Sequence, residues 1–334
     1  MNKTRKPSVG VIGLGSMGMG VARTLVSKGF PTHAFDIRAK ARNAFEKAGG
    51  TAHRSPAEMA AECDVVIVLV VNAKQTSDVL FGKNGAAAAL KPGSVVIASA
   101  TVAPDFAESL GEYLQAHGLL MIDAPVSGGA ARAAKGELSI MASGEQKAFR
   151  KARPVLDAIA VKVYRLGDTP GMGSKVKMIN QLLAGVHIAS ACEAIALGIR
   201  TGADPAVLYE VISNSAGSSW MFQNRVPHIL EGDYTPLSAV SIFVKDLGIV
   251  LDTAKSMSFP APLTAAAHQQ YLAAAGAGLA GDGDQGFPAT VRYRVAQSTP
   301  QESTHGETPL KPRRRETPRE PQFQGTTAAP GSTP

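Results

Sequence analysis

Cysteine, aromatic side chains and long apolar runs are all scarce in this chain of 334 residues. Its two cysteines, Cys63 and Cys192, are too few for a disulfide framework or a cysteine metal cluster, so we expect a reduced, cytoplasmic protein without a metal site. The longest wholly apolar run, from Val65 to Val71, has the length of a strand and falls short of the roughly 20 residues of a membrane helix. We therefore expect no membrane span. Glycines interrupt the apolar stretch near the N-terminus too early for a signal peptide.

The net charge of +7 is the compositional feature that could indicate a nucleic-acid partner. Residues from 285 onward carry seven basic and four acidic side chains, so they contribute nearly half of that excess. Their basic cluster, Lys311 to Arg315, lies among glutamates without a neighbouring aromatic ring, and single-strand binders use such rings for stacking. We predict no specific nucleic-acid partner and keep a nucleic-acid-binding module as the non-enzymatic alternative.

A glycine-rich turn follows the first apolar strand of the chain. In a Gly-x-Gly-x-x-Gly spacing, Gly13 permits the tight turn, Gly15 lets a pyrophosphate approach the backbone, and Gly18 lets the next helix pack closely. Asp36 ends the following strand, eighteen residues after Gly18, where it can accept the ribose 2′-hydroxyl and repel a 2′-phosphate. This arrangement predicts NAD in preference to NADP. Arg38 is interpreted as a solvated residue at a helix start, although a basic side chain there can also serve a 2′-phosphate.

The first half of the chain alternates short apolar segments with helical patterns at the spacing of βαβ units. We predict strands near residues 9–12, 32–35, 65–70, 95–98, 119–122, 139–142 and 161–166. Near-continuous Val and Ile runs, such as residues 65–70, favour parallel strands that are covered on both faces of the sheet. The pattern predicts an α/β fold with a doubly wound sheet of the Rossmann type, as an NAD-binding domain over residues 1–168.

After Gly167 the apolar spacing changes to that of helices. One long interdomain helix is predicted from Gly173 to Arg200, with apolar residues recurring at helical intervals at Val176, Ile179, Leu183, Val186, Ala189, Ala194 and Leu197. His187 lies within this face and is interpreted as a core residue. Helical patterns continue to about Ala280, which predicts an all-α C-terminal domain over residues 169–280. Residues 281–334 are predicted to be a disordered tail, because eight prolines fall in the last fifty residues with few core-forming side chains.

Four motifs occur in the order that one enzyme family uses. They are Gly13-Leu14-Gly15-Ser16-Met17-Gly18, Asp123-Ala124-Pro125-Val126-Ser127-Gly128-Gly129, Gly171-Met172-Gly173-Ser174-Lys175-Val176-Lys177 and Lys245-Asp246-Leu247. On these motifs the chain resembles the β-hydroxyacid dehydrogenases, the family of 3-hydroxyisobutyrate dehydrogenase and tartronate semialdehyde reductase, from residue 8 to about residue 280. The resemblance implies NAD-dependent oxidation of a small hydroxy acid by a homodimer or homotetramer.

The resemblance assigns the role of general acid and base to Lys177. Oxidising an alcohol requires a base for the hydroxyl proton, and a lysine desolvated among apolar groups and near other cations can serve at neutral pH. The neighbouring Lys175 is interpreted as a solvated lysine. We predict substrate contacts from a hydroxyl, two unobstructed backbone amides and two side-chain amides, supplied by Ser127, Gly128, Gly129, Asn180 and Gln181. Many family members have Asn where this chain has Gln181.

Cofactor contacts are predicted in three parts of the chain. The glycine turn and the acid after the second strand supply Gly13, Leu14, Gly15, Ser16, Met17, Gly18 and Asp36. The resemblance adds residues that follow later strands and one lysine in the helical half, namely Val70, Val71, Asn72, Thr101 and Lys245.

Residues 180–189, 219–228 and 232–240 are similar to the family members that oxidise L-threonate at C2 with NAD, giving 2-dehydro-L-erythronate. A polyhydroxylated substrate suits the polar side chains expected in the cleft. A branched aliphatic substrate would leave these groups unpaired at an energetic cost. Oxidation of 3-hydroxyisobutyrate and reduction of tartronate semialdehyde remain the alternatives within the family.

Overall fold

Nine strands form one sheet within residues 5–284, which are the residues that this computed structural model describes. In chain order they are β1 (Val9–Ile12), β2 (Thr32–Phe35), β3 (Thr51–Ala52), β4 (Val65–Val68), β5 (Val95–Ala98), β6 (Leu120–Asp123), β7 (Val126–Ser127), β8 (Leu138–Gly144) and β9 (Ala160–Gly167). Their spatial order is β3-β2-β1-β4-β5-β6-β8-β7, with β9 beside β8. Because β1 pairs in parallel with both β2 and β4, the chain order reverses beside β1. Open α/β sheets bind ligands at such a switch point, beyond the carboxyl ends of the strands.

Helices cover both faces of this sheet. They are α1 (Ser16–Ser27), α2 (Ala39–Glu46), α3 (Pro56–Ala60), α4 (Ala73–Phe81), α5 (Pro104–Ala116), α6 (Gly129–Lys135) and α7 (Gln146–Ile159). Along β4, Val65 and Ile67 belong to one core cluster, whereas Val66 and Val68 belong to another. Alternate side chains of a strand point to opposite faces, so both faces of the central strand are buried. The predicted doubly covered sheet is confirmed.

All seven predicted strands are present, with ends that differ by no more than two residues from the predicted positions. The short strands β3 and β7 were not predicted. Each contains two residues, which are too few to show an alternating pattern of apolar and polar side chains.

The second half of the described chain is helical, as predicted. It consists of α8 (Met172–Arg200), α9 (Pro205–Ser213), α10 (Trp220–Glu231), α11 (Val240–Ser256) and α12 (Pro262–Ala274), followed by a short π-helical turn over Ala275–Leu279. The core of this half is formed by α8, α10, α11 and α12. Its largest fully buried side chain is Tyr271, which stacks on Phe243 and donates a hydrogen bond of 3.0 Å to the backbone carbonyl of Gly185.

The apolar periodicity that predicted α8 does not mark its buried face. Ile179, Leu183 and Leu197 are between 50% and 62% exposed within the described residues, and His187 is only half-buried. The buried positions are largely small residues and isoleucines, namely Gly185, Ile188, Ala189, Ala191, Cys192, Ile195 and Ala196. Because α8 is apolar around most of its circumference, spacing alone could not select the face that packs on α10, α11 and α12.

Within residues 5–284, α8 is the one helix long and apolar enough to cross a membrane by length and composition. The expectation of no membrane span rested on uninterrupted apolar runs, and polar residues interrupt those of α8. Helix α8 contributes the central residues of the helical core and also carries the buried polar side chains of Lys177 and Gln181. Packing against three other helices accounts for the apolar residues on the buried side of α8.

Residues 281–284, which composition assigned to the tail, are held in place by the helical half. The Asp282 carbonyl accepts a hydrogen bond of 2.9 Å from the Val240 amide, and the Asp284 amide donates one of 2.7 Å to Ser238. The Asp284 carboxylate forms a two-pronged ion pair with Arg225 of α10, at 2.6 Å and 3.0 Å. Residues 285–334 of the predicted tail lie outside the described residues, and the proposed domain division at 168 and 280 stays a prediction.

The Arg225–Asp284 ion pair is buried on both sides, so its loss should be costly. We expect Asp284→Ala to lower the free energy of unfolding by about 3–5 kcal/mol, because it leaves a buried guanidinium without its carboxylate. The control is Asp252→Ala, which removes an exposed aspartate of α11. Urea unfolding followed by circular dichroism measures both variants. Equal stability of the two variants would contradict a structural role for residues 281–284.

Candidate active site

The glycine turn lies at the carboxyl end of β1, beside the switch point of the sheet. Gly13 has a positive φ of 94°, and a Cβ atom there would lie 2.6 Å from the backbone oxygen of Leu69. A Cβ atom on Gly18 would lie 1.8 Å from the backbone oxygen of Gly13, so the turn and α1 can pack only without these side chains. A Cβ atom on Gly15 would meet nothing within 4 Å. Gly15 therefore borders open space in which a ligand can approach the backbone.

This open space faces the start of α1. Gly15 is the N-cap of the helix and supplies no side-chain hydrogen bond, while its carbonyl accepts from Met19 at 2.9 Å. The amides of Ser16 and Met17 belong to the first turn, whose N–H groups have no partners within a helix. Such amides bind phosphate groups. The residues of the glycine turn therefore fit a dinucleotide pyrophosphate.

Asp36 lies immediately after β2 and is buried beside the glycine turn. Its carboxylate accepts hydrogen bonds from the Leu14 amide at 2.8 Å, the Arg38 amide at 2.8 Å and the Arg38 guanidinium at 2.9 Å. Burial by itself would raise the pKa of Asp36, but the hydrogen bonds from Arg38 and Leu14 outweigh it and lower the pKa overall. Arg38 lies at the start of α2, as interpreted from the sequence, but its guanidinium is paired with Asp36 rather than solvated alone.

The other predicted cofactor residues follow β4 and β5, so they lie along the same carboxyl edge of the sheet. Asn72 uses its side-chain oxygen to accept the Gln75 amide at 2.8 Å and thereby caps α4. The Val71 amide donates to the Gln75 side chain at 2.9 Å, and Val70 is half-buried. Capping α4 gives Asn72 a structural role, so its contact with a cofactor stays a prediction. The Thr101 carbonyl is occupied by Lys245, as described below.

Asp123 at the end of β6 holds the first turn of α8. Its buried carboxylate accepts hydrogen bonds from the backbone amides of Gly171 at 3.0 Å and Ser174 at 2.8 Å, and from the Ser174 hydroxyl at 2.7 Å. Burial raises the pKa of Asp123, and these hydrogen bonds act in the opposite direction. A Cβ atom on Gly173 would lie 2.7 Å from the backbone oxygen of Asp123, so glycine permits this close approach. Asp123 belongs to the second sequence motif but was not among the predicted site residues.

Lys177 lies one turn into α8 and its side chain is 7% exposed. The pKa of Lys177 is lowered to about 8, mainly by burial; the carboxylate of Asp246 opposes this shift, and the positive charge of Lys245 adds to it. Within residues 5–284 its amine forms no hydrogen bond of normal geometry. Lys175, two residues earlier, is exposed and pairs with Glu108 at 2.8 Å. Lys177 is therefore the lysine of this turn that can be neutral near physiological pH.

A hydrogen-bonded chain connects α8, α11 and the segment after β5. Asp246 is buried, accepts the Gln181 amide nitrogen at 2.6 Å and pairs with the amine of Lys245. The same Lys245 amine donates to the Thr101 carbonyl at 2.9 Å. Asn180 donates to the Gln181 side-chain oxygen at 3.1 Å, so both polar atoms of Gln181 have protein partners. Asp246 was not among the predicted site residues. Its position in the Lys245-Asp246-Leu247 motif is the sequence feature that could have indicated it.

The loop of Ser127, Gly128 and Gly129 connects β7 to α6. Ser127 is half-buried and pairs with Ser139 of β8. Gly128 and Gly129 have positive φ angles of 133° and 68°, and a Cβ atom on Gly129 would meet nothing within 4 Å. The backbone beside Gly129 is thus open, and its contact with a substrate stays a prediction. Among residues 5–284, no group of three or more His, Cys, Asp and Glu side chains could hold a metal ion.

Two family models match the chain in succession. The NAD-binding domain of 6-phosphogluconate dehydrogenase matches residues 8–167, and a domain described as NAD-binding of NADP-dependent 3-hydroxyisobutyrate dehydrogenase matches residues 171–293. The L-threonate dehydrogenase of Cupriavidus necator is 64% identical over 277 residues, which are 83% of this chain and 93% of that protein. The chain belongs to the β-hydroxyacid dehydrogenase family. The L-threonate dehydrogenase of Escherichia coli K12 is 50% identical over 277 residues, covering 83% of this chain and 92% of that protein.

A solved structure shows the same fold in another β-hydroxyacid dehydrogenase. The crystal structure of 3-hydroxyisobutyrate dehydrogenase from Salmonella typhimurium matches with a TM-score of 0.80 and 48% identity, covering 86% of this chain and 99% of that chain. The match includes the sheet and the helical half, so the predicted fold class is confirmed. In the present chain, a hydrogen bond joins Asp123 of the second motif to Ser174 of the third, and another joins Gln181, further along α8, to Asp246 of the fourth.

Proposed function

We propose that this protein uses NAD to oxidise L-threonate at C2, giving 2-dehydro-L-erythronate. The observation that carries the proposal is the buried Lys177 amine, whose pKa is lowered to about 8 by burial, at the start of a helix anchored to the sheet edge. The choice of substrate is supported by relatives named L-threonate dehydrogenase, which are 49% to 64% identical to this chain.

Lys177 is the proposed acid and base of the reaction. Bound NAD supplies the acceptor for the hydride that leaves C2. The neutral Lys177 amine removes the proton of the C2 hydroxyl, so that the C–O bond becomes a carbonyl as the C–H bond breaks. Lys177 then carries the proton as an ammonium group and returns it to solvent. In the reverse direction the ammonium donates the same proton to the carbonyl oxygen.

The remaining predicted site residues are proposed to bind and orient the substrate. The Ser127 hydroxyl and the open backbone of Gly129 suit the carboxylate. Asn180 has its amide nitrogen on Gln181, which leaves its side-chain oxygen to accept a substrate hydroxyl. Gln181 is proposed to hold Asn180 and Asp246 in position. This polar set favours a sugar acid over a branched aliphatic acid, whose methyl groups would leave the polar atoms unpaired.

We also propose a cytoplasmic homodimer or homotetramer. The free, buried thiols of Cys63 and Cys192 support a reducing compartment. The apolar side chains of Ile179, Leu183 and Leu197 are exposed on α8, which supports burial of this face in an assembly. Oxidation of 3-hydroxyisobutyrate is the second candidate, because the similar Salmonella typhimurium structure carries that name.

A substrate panel tests the proposed reaction. With NAD and the full chain, we expect kcat/KM for L-threonate to exceed that for 3-hydroxyisobutyrate, tartronate and glycerate by about tenfold or more, because unpaired polar groups cost roughly 1–3 kcal/mol each. Formation of NADH is followed by its absorbance, and the ketone product is identified by mass spectrometry. Turnover of 3-hydroxyisobutyrate without turnover of any four-carbon aldonate would replace the proposed substrate with the second candidate.

Replacing Lys177 tests the assignment of the base. We expect Lys177→Ala to lower kcat by roughly 100- to 10,000-fold, the usual contribution of a general base, while the Kd of NAD changes little. Since a lysine amine is neutral only above its pKa, kcat/KM for oxidation by the unmodified protein should rise as pH increases through about 8. The matched control is Lys175→Ala, which removes the exposed lysine of the same turn. Similar losses in both variants would rule out a special role for Lys177.

The charge of Asp246 should change the pH at which Lys177 becomes neutral and able to accept the proton. Asp246→Asn keeps an oxygen for Gln181 but removes the negative charge that favours the ammonium form of Lys177. We therefore expect the rise of kcat/KM with pH to occur at lower pH than in the unmodified protein, whatever the height of the plateau. The control is Asp252→Asn, an exposed position on the same helix. An unchanged midpoint, or one at higher pH, would exclude electrostatic coupling between Asp246 and Lys177.

A further inference from the structure

Two buried side chains from neighbouring strands meet the first turn of α8. Asp123 ends β6 and Ser143 lies near the end of β8, and these antiparallel strands place the two residues directly opposite each other. Residues paired in this way have their side chains on the same face of a sheet. The Ser143 hydroxyl accepts a hydrogen bond of 3.0 Å from the Gly173 amide and donates one of 3.4 Å to the Asp123 carboxylate. We call Asp123 and Ser143 the helix socket.

The helix socket binds backbone amides that have no partner within a helix. Asp123 accepts from the amides of Gly171 and Ser174, and Ser143 accepts from the amide of Gly173 between them. A contact to a single amide would leave the helix free to turn about that bond. Because the contacts are spread over one turn and come from two strands, they fix both the rotation and the height of α8 on the sheet edge.

The backbone around the helix socket leaves little room for this turn to shift. A Cβ atom on Gly173 would lie 2.5 Å from the backbone oxygen of Met141, in addition to its close approach to Asp123. Gly171 has a positive φ of 111°, and a Cβ atom there would lie 2.5 Å from the Cγ atom of Glu108 on α5. The first turn of α8 is thus enclosed by β6, β8 and α5, and glycine permits the fit.

The position of this turn decides where the Lys177 amine lies. Lys177 follows Gly173 by four residues, so the two lie on the same side of α8 about one turn apart. Any tilt or rotation of the first turn is therefore passed on to the Lys177 side chain. A misplacement of about 1 Å can lower a reaction rate by roughly a hundredfold, because proton transfer requires the reacting groups to be oriented.

We propose that the helix socket positions the base of the reaction, because Asp123 and Ser143 hold the first turn of α8 and thereby place the Lys177 amine in the buried part of the cleft. Both residues act through α8, so they are positioning residues rather than catalytic ones. The inference deepens the proposed function and rests on its assignment of Lys177. It also gives a physical reason for the joint occurrence of the second and third motifs, which contain the two sides of this contact.

The test compares Asp123→Asn with Asp284→Asn, because each variant replaces a buried aspartate that accepts hydrogen bonds. Asparagine has a similar shape, but only one of its two terminal atoms accepts, and its amino group would face the amides of α8. We expect Asp123→Asn to lower kcat for L-threonate by about 10- to 100-fold, while the Kd of NAD measured by calorimetry changes by less than about threefold. Asp284→Asn should lower the stability of the protein but keep kcat within about twofold.

The pH dependence separates lost positioning from lost stability. Burial is the largest cause of the lowered pKa of Lys177, and the charges that act on it belong to Asp246 and Lys245 of α11, which both variants retain. A displaced turn admits water to Lys177, so its pKa should rise and the midpoint of kcat/KM should move to higher pH in Asp123→Asn. Loss of a negative charge alone would move the midpoint to lower pH. Asp284→Asn should leave the midpoint unchanged.

Ser143→Ala is a milder second variant that keeps the inference testable if Asp123→Asn does not fold. It removes the partner of the Gly173 amide and leaves the other contacts of Asp123 to α8 in place. We expect a loss in kcat of roughly threefold to tenfold, the usual effect of one hydrogen bond, with a smaller midpoint shift in the same direction. Hydrogen exchange followed by mass spectrometry should show faster exchange at the start of α8 in both variants and unchanged exchange at the start of α1.

The outcomes distinguish this inference from the proposed function. If the unmodified protein oxidises a hydroxy acid, but the folded variants of Asp123 and Ser143 keep kcat within about twofold and the same midpoint, the helix socket does not position Lys177. The proposed function would survive that result. Equal losses of kcat in Asp123→Asn and Asp284→Asn would also overturn the inference. If the unmodified protein binds NAD but turns over no hydroxy acid, the proposed function fails, and this inference fails with it.

Discussion

The hydrogen bonds between the Asp123 carboxylate and the first turn of α8 are the interaction on which the rest of the site depends. The first amides of a helix have no partners within the helix, and leaving them unpaired in the protein interior is costly. Asp123 satisfies the amides of Gly171 and Ser174 from the end of a sheet strand. Since α8 is a continuous helix, this contact also sets the position of Lys177. One buried carboxylate thus couples the sheet to the proposed base.

The pKa of Lys177 is set by opposing electrostatic effects in the cleft. Burial of Lys177 disfavours its ammonium form, and the charge of Lys245 acts in the same direction. Asp246 opposes both and at the same time binds Lys245 and Gln181. The lowered pKa of Lys177 therefore results first from burial, while the charges of Asp246 and Lys245 act on it in opposite directions.

Local patterns account for most of the fold. Strands leave short apolar runs and long helices leave apolar repeats of about 3.6 residues, which is why β1, β2, β5 and the full length of α8 were predictable. Two-residue strands leave no repeat, so β3 and β7 were missed. Composition assigned residues 281–284 to the tail, although the Arg225–Asp284 ion pair holds Asp284 against the helical half. A contact between distant side chains has no local signature.

The sequence by itself determined the glycine turn, the acid after β2, the order of the elements and the identity of the proposed base. The tertiary structure alone decided which of these groups meet. Asp123 reaches a serine 51 residues away, and Gln181 reaches Asp246 65 residues away, so neither contact appears in any local window of sequence. Lys175 and Lys177 have the same intrinsic chemistry and lie in one helical turn. They differ because packing buries one and leaves the other in solvent, and desolvation depends on that three-dimensional packing.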